Sequence, residues 1–146
     1  MRHTFLAGIV IAVLVSCTHA KESTGNAAKE TVVTENAIYS YKWILTKIHQ
    51  DENTREVTAR KAFIRFNKEQ SSAGGNGSCN SFGSTLKISG NTVSISEIMS
   101  TKMYCDNVQP IEDEFFKQLQ KVTRYEIKEK RLLLFEGDKL LLEFEG

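Results

Sequence analysis

The sequence predicts an α+β domain, in which a mostly antiparallel, curled β-sheet or partial barrel packs with one α-helix near residues 109–122. Two observations predict this class. Short segments of alternating apolar and polar residues recur from residue 38 onward, and a single segment has helical period. The 146 residues are 40% hydrophobic and 25% charged, as in one soluble globular domain. The net charge of +1 gives no reason to expect binding to nucleic acid.

The first strand is predicted from Tyr39, Tyr41, Trp43 and Leu45, which occupy alternate positions. The polar stretch at residues 49–58 is expected to connect it to the next strand as a loop. Further short strands are predicted at residues 62–66, 85–88, 92–95, 125–128, 132–135 and 140–144. The last two flank a turn at residues 136–139, the clearest hairpin of the chain, and the leucine run at 132–134 predicts burial on both faces.

One segment has the spacing of an amphipathic helix. Its apolar residues recur at intervals of four, four and three, which predicts a face packed on the core, and they are Ile111, Phe115, Leu119 and Val122. Pro110 suits the first helical turn, and Asn107 is the expected cap. The acidic run at 112–114 is expected to complement the helix dipole.

The N-terminus predicts export. Arg2 precedes an apolar run at residues 5–15, which is too short for an ordinary membrane-spanning helix. The run ends in Leu-Val-Ser-Cys, which resembles a bacterial lipobox, so residues 1–16 are predicted to be a lipoprotein signal peptide with lipidation at Cys17. The alternative is an ordinary secretory signal that is cut after Ala20.

The predicted organisation after cleavage is a lipidated cysteine and flexible tether at residues 17–37, followed by a folded domain at 38–146. Two or three acyl chains would hold the protein on a membrane firmly. The expected location is therefore the bacterial cell envelope. Thr18 stands where an aspartate retains enterobacterial lipoproteins in the inner membrane, and this favours the outer membrane.

Cys79 lies in the glycine-rich stretch G-G-N-G-S-C-N-S-F-G at residues 74–83, and the domain has one further cysteine, Cys105. In an oxidising compartment two such cysteines are expected to pair. In the entropy model a bridge across 26 residues constrains the unfolded chain by about 3.5 kcal/mol. A nucleophilic Cys79 with His49 as its base is the weaker alternative, since nothing in the spacing supports it.

No catalytic residue, metal site or cofactor is predicted. The sequence has no C-x-x-C or H-E-x-x-H motif, no Walker A loop and no G-x-S-x-G nucleophile elbow. A hydrolase would rest only on the presence of serine, aspartate and His49.

The order of several motifs resembles the META domain, a family that includes the HslJ-like proteins. The motifs are an opening Trp-x-Leu strand, a glycine-rich loop ending in Cys-Asn, a Thr-x-Met-x-Cys segment, Glu-x-x-Phe-x-x-x-Leu and a closing leucine-rich hairpin. They are carried by Trp43 and Leu45; Gly75, Cys79 and Asn80; Thr101, Met103 and Cys105; Glu112, Phe115 and Leu119; and Leu132, Leu134 and Phe144. Ser78 and Ser84 depart from the family by replacing glycines, and Tyr104 replaces an alanine.

The resemblance implies a compact antiparallel sheet against one helix, and an envelope protein, often a lipoprotein, associated with stress tolerance. It implies no enzyme, because the family has no agreed catalytic residues. Asn80 is expected to adopt a left-handed turn and bond the backbone, and Thr101 to cap a strand end. A binding role for Asn80, Thr101 and Met103 is the alternative.

Two functions remain open at this point. The first is a lipid-anchored interaction or structural module that binds another envelope protein and helps the envelope to withstand stress. The second is a binding module for a small apolar ligand, held in a cavity that the curled sheet encloses.

Overall fold

A computed structural model describes residues 36–51, 53–58 and 62–146 of the chain. The predicted signal peptide, Cys17 and the tether up to residue 35 lie outside the described residues. Residues 36–38 are helical. The elements that follow are β1 (Trp43–Gln50), β2 (Asn53–Glu56), β3 (Phe63–Asn67), β4 (Ser72–Asn76), β5 (Ser81–Ser89), β6 (Thr92–Ser100), α1 (Gln109–Leu119), β7 (Arg124–Lys128), β8 (Arg131–Glu136) and β9 (Lys139–Glu145).

The strands form one antiparallel sheet that curls into a ring. The order is β2-β1-β3-β4-β5-β6-β7-β8-β9, and β1 pairs with β9 as well as with β2 and β3. The first and last strands therefore close the ring, and β2 extends β1 as a hairpin outside it. The prediction of an α+β fold with a curled, mostly antiparallel sheet is confirmed.

The ring closes around a core of buried apolar side chains. Trp43 and Leu45 of β1 are fully buried, as the alternation in the sequence predicts. Ile48 is also fully buried, because the strand is irregular between Leu45 and Lys47. The run Leu132–Phe135 in β8 is buried throughout, so the expected burial on both faces is confirmed. Trp43 Nε1 donates to the carbonyl oxygen of Ile38 at 2.7 Å, and this bond fixes the N-terminal helical residues against the first strand.

Helix α1 buries the face that its spacing predicts. Phe115 and Leu119 are fully buried, and the Phe115 ring meets Phe82 of β5 and Phe144 of β9 edge-on, with centroids 5.8 and 6.2 Å apart. The helix therefore connects opposite parts of the ring. Pro110 lies in the first turn as expected, but the cap is Val108, with no side-chain hydrogen bond, and not Asn107.

Three expectations about the strands were wrong. The first strand begins at Trp43, because the chain around Tyr39 and Tyr41 turns after the helical residues 36–38. Part of the polar stretch 49–58 is strand β2, whose four residues are all exposed and carry no alternation. Part of the glycine-rich stretch is strand β4, which pairs with β3 and β5 along its whole length.

Gly75 explains why a glycine-rich segment is a strand here. A β-carbon at this position would lie 2.1 Å from the carbonyl oxygen of Phe63 on the neighbouring strand. Only glycine allows this close approach of the two backbones. The glycines of β4 therefore permit close packing of the sheet and do not mark a flexible loop.

The ring is least complete between β6 and β7. Strand β6 pairs with β5 over almost all of its length, but its ladder with β7 consists of the single pair Thr92–Arg124. After that pair the chain preceding β7 departs toward α1. Most of β6 therefore has one side without a strand neighbour.

Candidate functional site

Three of the segments that carry the META resemblance meet at one place in the fold. The turn 77–80 joins β4 to β5 and donates to Glu112 in the first turn of α1. The segment 101–105 follows β6, and the Cys105 carbonyl oxygen accepts from the Gln109 N–H at the start of α1, at 2.9 Å. Motifs that lie up to about thirty residues apart in sequence thus form one cluster around Asn80 and Glu112, whose hydrogen bond spans 32 residues.

Glu112 is the acceptor at the centre of this cluster. Its side chain points inward from α1 and is 2% exposed. Oε2 accepts hydrogen bonds from the backbone N–H groups of Cys79, at 3.0 Å, and Asn80, at 2.6 Å, while Oε1 accepts one from Asn80 Nδ2 at 2.6 Å. A buried carboxylate that accepts three hydrogen bonds is well compensated for the loss of water. Glu112 therefore joins the turn to the helix.

Asn80 connects the turn to the segment after β6. Its Oδ1 accepts from Thr101 Oγ1 at 2.7 Å and from the Met103 N–H at 2.8 Å, and its Nδ2 donates to the Met103 carbonyl oxygen at 2.8 Å. Every polar atom of the buried amide is therefore used. The expectation that Asn80 bonds the backbone is confirmed. Its side chain orders the segment that carries Met103.

The cluster also holds the disulfide. Cys79 and Cys105 are bonded to each other, with their Cα atoms 6.1 Å apart, so the predicted pairing is present. Because the Cys79 sulfur is in a disulfide, it is not available as a nucleophile. His49 lies instead on β1, where Nε2 meets Glu143 at 2.9 Å and Nδ1 meets Thr54 at 3.0 Å, so it bridges three strands.

Ser78, not Asn80, takes the left-handed conformation in the turn. Its φ is 119°, in a region that favours glycine, and its buried hydroxyl has no hydrogen-bond partner among the described residues. This explains why the family usually has glycine at the position. The neighbouring Gly77 packs tightly, since a β-carbon there would lie 2.7 Å from both Glu112 Oε2 and Phe116 Cζ.

The other family residues take different roles. Trp43 is fully buried in the core, and Gly75 allows two strands to approach, so neither belongs to the cluster. Met103 enters the cluster through its main chain alone, and its side chain is 61% exposed. Thr101 lies directly after β6, and its N–H donates to the Ser81 carbonyl oxygen at 3.1 Å, which continues the pairing with β5.

Three large apolar side chains in the segment 99–104, which leads into the cluster, are exposed to solvent. Met99, Met103 and Tyr104 are 77, 61 and 76% exposed, and we call these three side chains the apolar patch. Met103 and Tyr104 also line a solvent-open cleft of about 240 Å³ between the end of β6 and α1, whose other lining residues are Asn80, Ser100, Thr101, Lys102, Gln109, Glu112, Asp113 and Phe116. Fixed backbone beneath exposed apolar side chains is typical of a binding surface.

The sequence analysis missed two features of the site: the buried role of Glu112 and the exposure of Met99 and Tyr104. Glu112 lies three residues before Phe115, so the helical spacing places it on the buried face, and this was the available signal. Nothing in the sequence pattern indicates that Met99 and Tyr104 are exposed, because large apolar residues are ordinarily assigned to the core.

The part of the chain that the structure describes contains neither a metal-binding cluster nor a membrane-spanning helix. Within residues 36–51, 53–58 and 62–146, no group of three or more histidine, cysteine, aspartate or glutamate side chains is placed to hold a metal ion. None of the helices described there combines the length and apolar character needed to cross a membrane.

Comparisons with known proteins agree on the fold. Three solved structures resemble the chain: an NMR structure of a protein from Burkholderia xenovorans (17% identity, TM-score 0.62, 99% of this chain and 96% of that chain covered), a crystal structure of a DUF4847 family protein from Bacteroides vulgatus ATCC 8482 (18%, 0.57, 76% and 95%) and a further NMR structure (20%, 0.59, 77% and 93%).

At these identities the likeness concerns the fold alone. A search of curated proteins finds no significant match. The model of the META domain matches residues 36–145, which is nearly all of the chain that the structure describes. With the motif residues gathered around Asn80 and Glu112, this match shows that the chain belongs to the META domain family.

Proposed function

We propose that the protein is a lipid-anchored, non-enzymatic module of the bacterial cell envelope, which binds an envelope protein through the apolar patch and supports the envelope under stress. The exposure of Met99, Met103 and Tyr104 on an ordered backbone is the observation that carries this proposal. Burying such side chains against a partner removes apolar surface from water, which is the main driving force of association.

The segment that carries Met103 and Tyr104 is firmly held, and this supports a role for their exposed side chains in binding. The main chain of Met103 makes two hydrogen bonds with the side-chain amide of Asn80, and Cys105 is covalently bonded to Cys79. A segment fixed in this way loses little conformational freedom on binding, so more of the contact energy appears as affinity. The lipid anchor at Cys17 remains a prediction from the lipobox, as does the outer-membrane location.

The alternative, a small apolar ligand inside the curled sheet, has less support. The interior of the ring is filled by the side chains of the core cluster, including Leu45, Ile64 and Leu134. The clefts described on this molecule are open to solvent. One of them is lined almost wholly by polar side chains, including Asp51, Lys117 and Lys139. We therefore place the binding surface on the outside of the ring.

Photo-crosslinking in the native bacterium tests the proposal. A photoreactive phenylalanine analogue replaces Tyr104 in one strain, Met99 in a second and Glu69 in a third, as a control in the exposed turn between β3 and β4. We expect the same partner protein to be trapped from positions 104 and 99 and not from 69. Equal products from all three positions, or none from any, would refute binding through the patch.

The anchor and the stress role need separate measurements. Cys17→Ala should move the protein from the membrane fraction to the soluble fraction, and mass spectrometry of the wild-type N-terminal peptide should show acyl chains on Cys17. A deletion strain should become sensitive to detergent. Wild-type protein should restore tolerance, and a variant with Met99, Met103 and Tyr104 replaced by serine should not.

A further inference from the structure

Strand β6 presents an unpaired edge next to the apolar patch. On the side of β7, its last hydrogen bonds are those from the Val93 N–H to the Thr123 carbonyl oxygen, at 3.0 Å, and from the Tyr125 N–H to the Asn91 carbonyl oxygen, at 2.9 Å. Beyond Val93, no strand among the described residues continues the sheet on this side. Unpaired backbone groups at a sheet edge are able to accept another strand.

The register shows which backbone groups face this edge. Leu86 is paired with Ile95 and donates its N–H away from β6, to Ser71, so Ile95 also directs its N–H and C=O away from β5. Phe82 is paired with Ser100, and the bond from Thr101 N–H to Ser81 marks that pair as non-hydrogen-bonded. Ile95 and Ser100 therefore direct their backbone polar groups toward the open side.

A bulge limits how long a pairing strand can be. The register of β5 and β6 shifts between Gly83 and Thr85, and Glu97 has a φ of 54° in the shifted part of β6. Bulges of this kind interrupt an edge and prevent extended pairing between sheets. The open edge of β6 is therefore suited to a short segment and not to a long strand.

The cleft beside Ser100 provides places for the side chains of such a segment. One wall is the end of β6 with Met103 and Tyr104, and the other is α1 with Gln109, Asp113 and Phe116. Gln109 Nε2 donates to Asp113, while its buried Oε1 has no hydrogen-bond partner among the described residues.

The chemistry of the walls indicates the kind of segment that fits. Met103, Tyr104 and Phe116 offer apolar contact to a bound side chain. The α1 wall carries the exposed carboxylate of Asp113, whereas the carboxylate of Glu112 is already occupied by three donors. Lys102 lines the same cleft, so its polar lining carries both signs of charge and selects no charged side chain.

We propose that an extended peptide segment of a partner protein binds in the cleft between β6 and α1, where it adds a short strand to the β6 edge at Ser100 and places an apolar side chain against Met103, Tyr104 and Phe116. The inference rests on the proposed function and specifies its binding mode. Strand addition in a groove between a sheet edge and a helix is an established mode of peptide recognition.

The test uses the full chain purified in detergent and a phage library of short random peptides. A peptide selected on the wild-type chain is synthesised, and amide hydrogen exchange of the protein is measured with and without it. We expect exchange at Ser100 to slow by about tenfold or more on saturation, because its N–H becomes hydrogen-bonded. The Val93 N–H, already bonded to Thr123, should not change and is the internal control.

Two variants separate the binding mode from the binding surface. Ser100→Pro removes the outward N–H without removing a bond to β5, and should weaken peptide affinity by about tenfold with little change in stability. Tyr104→Ala removes apolar contact and should also weaken binding. If Tyr104→Ala weakens binding while Ser100→Pro and the exchange of Ser100 show no effect, strand addition is wrong and the proposed function stands.

The remaining outcomes also decide the question. If no peptide is selected although crosslinking at Tyr104 traps a protein, the peptide mode is wrong while the interaction module stands. If neither peptide nor protein binds, both proposals fail. If Ser100 is already protected in the free chain, or if a dimer forms that Ser100→Pro dissociates, the edge is occupied by this protein itself and the proposed partner peptide is excluded.

Discussion

Asn80 and Glu112 share two hydrogen bonds, in which the backbone N–H and the side-chain amide of Asn80 donate to the two carboxylate oxygens of Glu112, each at 2.6 Å. Both side chains are 2% exposed. The pair joins a strand-connecting turn to the first turn of the helix, and Asn80 extends the connection to Thr101 and Met103. Four of the motif residues, Asn80, Thr101, Met103 and Glu112, thus form one hydrogen-bonded unit.

Replacing Glu112 should destabilise the domain strongly. Glu112→Ala removes the acceptor of three hydrogen bonds, two of them donated by the buried Asn80, so we expect the free energy of unfolding to fall by about 2–4 kcal/mol. Urea denaturation followed by tryptophan fluorescence measures it, with Asp113→Ala, on the exposed side of the same turn, as the control that should change by no more than about 0.5 kcal/mol. Equal stability of Glu112→Ala and wild type would show that the network contributes nothing.

Removing the disulfide should cost stability without abolishing the fold. The double variant Cys79→Ser, Cys105→Ser loses the constraint on a loop closed by residues 26 apart, and we expect a loss of about 3.5 kcal/mol. The Asn80–Glu112 network remains, so the circular dichroism spectrum should stay native-like. A reductant should lower the stability of the wild type and leave the double variant unaffected; a wild type insensitive to complete reduction would contradict the expectation.

Ser78→Gly should stabilise the protein. The change relieves a backbone strain of order 1–3 kcal/mol and removes an unpartnered hydroxyl, against a glycine entropy cost of roughly 0.5–1 kcal/mol. We expect a net gain of about 1 kcal/mol, measured as a higher Tm by calorimetry. Ser78→Ala is the matched control, since it removes the hydroxyl and keeps the strain. If Ser78→Ala gains as much as Ser78→Gly, the backbone contributes nothing.

Two glycines of neighbouring strands should respond in opposite ways to alanine. Gly75→Ala places a β-carbon 2.1 Å from the Phe63 carbonyl oxygen, so β3 and β4 must separate, and we expect a loss of at least about 2 kcal/mol. Gly83 has no atom within 4 Å of its β-carbon position. Gly83→Ala should therefore be neutral or stabilise by up to about 1 kcal/mol. A comparable loss in both variants would show that the close approach of Gly75 to Phe63 is not the cause.

Asp51 should titrate abnormally because of Lys139. The hydrogen bond and the positive charge of Lys139 hold the pKa of the Asp51 carboxyl below its usual value of 3.8, with smaller contributions from Lys121 and Lys117. A carboxyl with a lowered pKa stabilises the folded state above its unfolded pKa, and this contribution is lost as the pH falls through the folded pKa. An NMR titration should show the pKa of Asp51 rising in Lys139→Gln, and an unchanged value would exclude the pair as the cause.

The parts of the fold that the sequence predicted are those with strong periodicity. The stripe Ile111–Phe115–Leu119 and the hairpin at 136–139 each satisfy a repeating geometry, so α1, β8 and β9 were found with small errors at their ends. Strands β2 and β4 were missed because one is wholly exposed and the other consists of small residues, and neither carries an apolar alternation. Both are strands because of tertiary pairing: β2 pairs with β1, and β4 pairs with β3 and β5.

The sequence predicted several residues of the candidate site but not how they are arranged in space. Cys79 and Cys105 could be paired from their number and the expected compartment, and Asn80 could be given a backbone bond. The three hydrogen bonds of Glu112 and the open edge of β6 depend on where α1 lies relative to the turn 77–80 and to β6 in three dimensions. Local sequence does not determine such a separation.

The pairing of β1 with β9 has a consequence for how the chain folds. The strand that begins the ring has Glu143 and Phe144 among its partners, so the sheet cannot close until the last residues of the chain are available. Contacts between such distant residues make folding slow and oppose stable partial structures during synthesis. The export that the N-terminal sequence predicts would therefore take place before the sheet closes, because the ring is complete only when β9 pairs with β1.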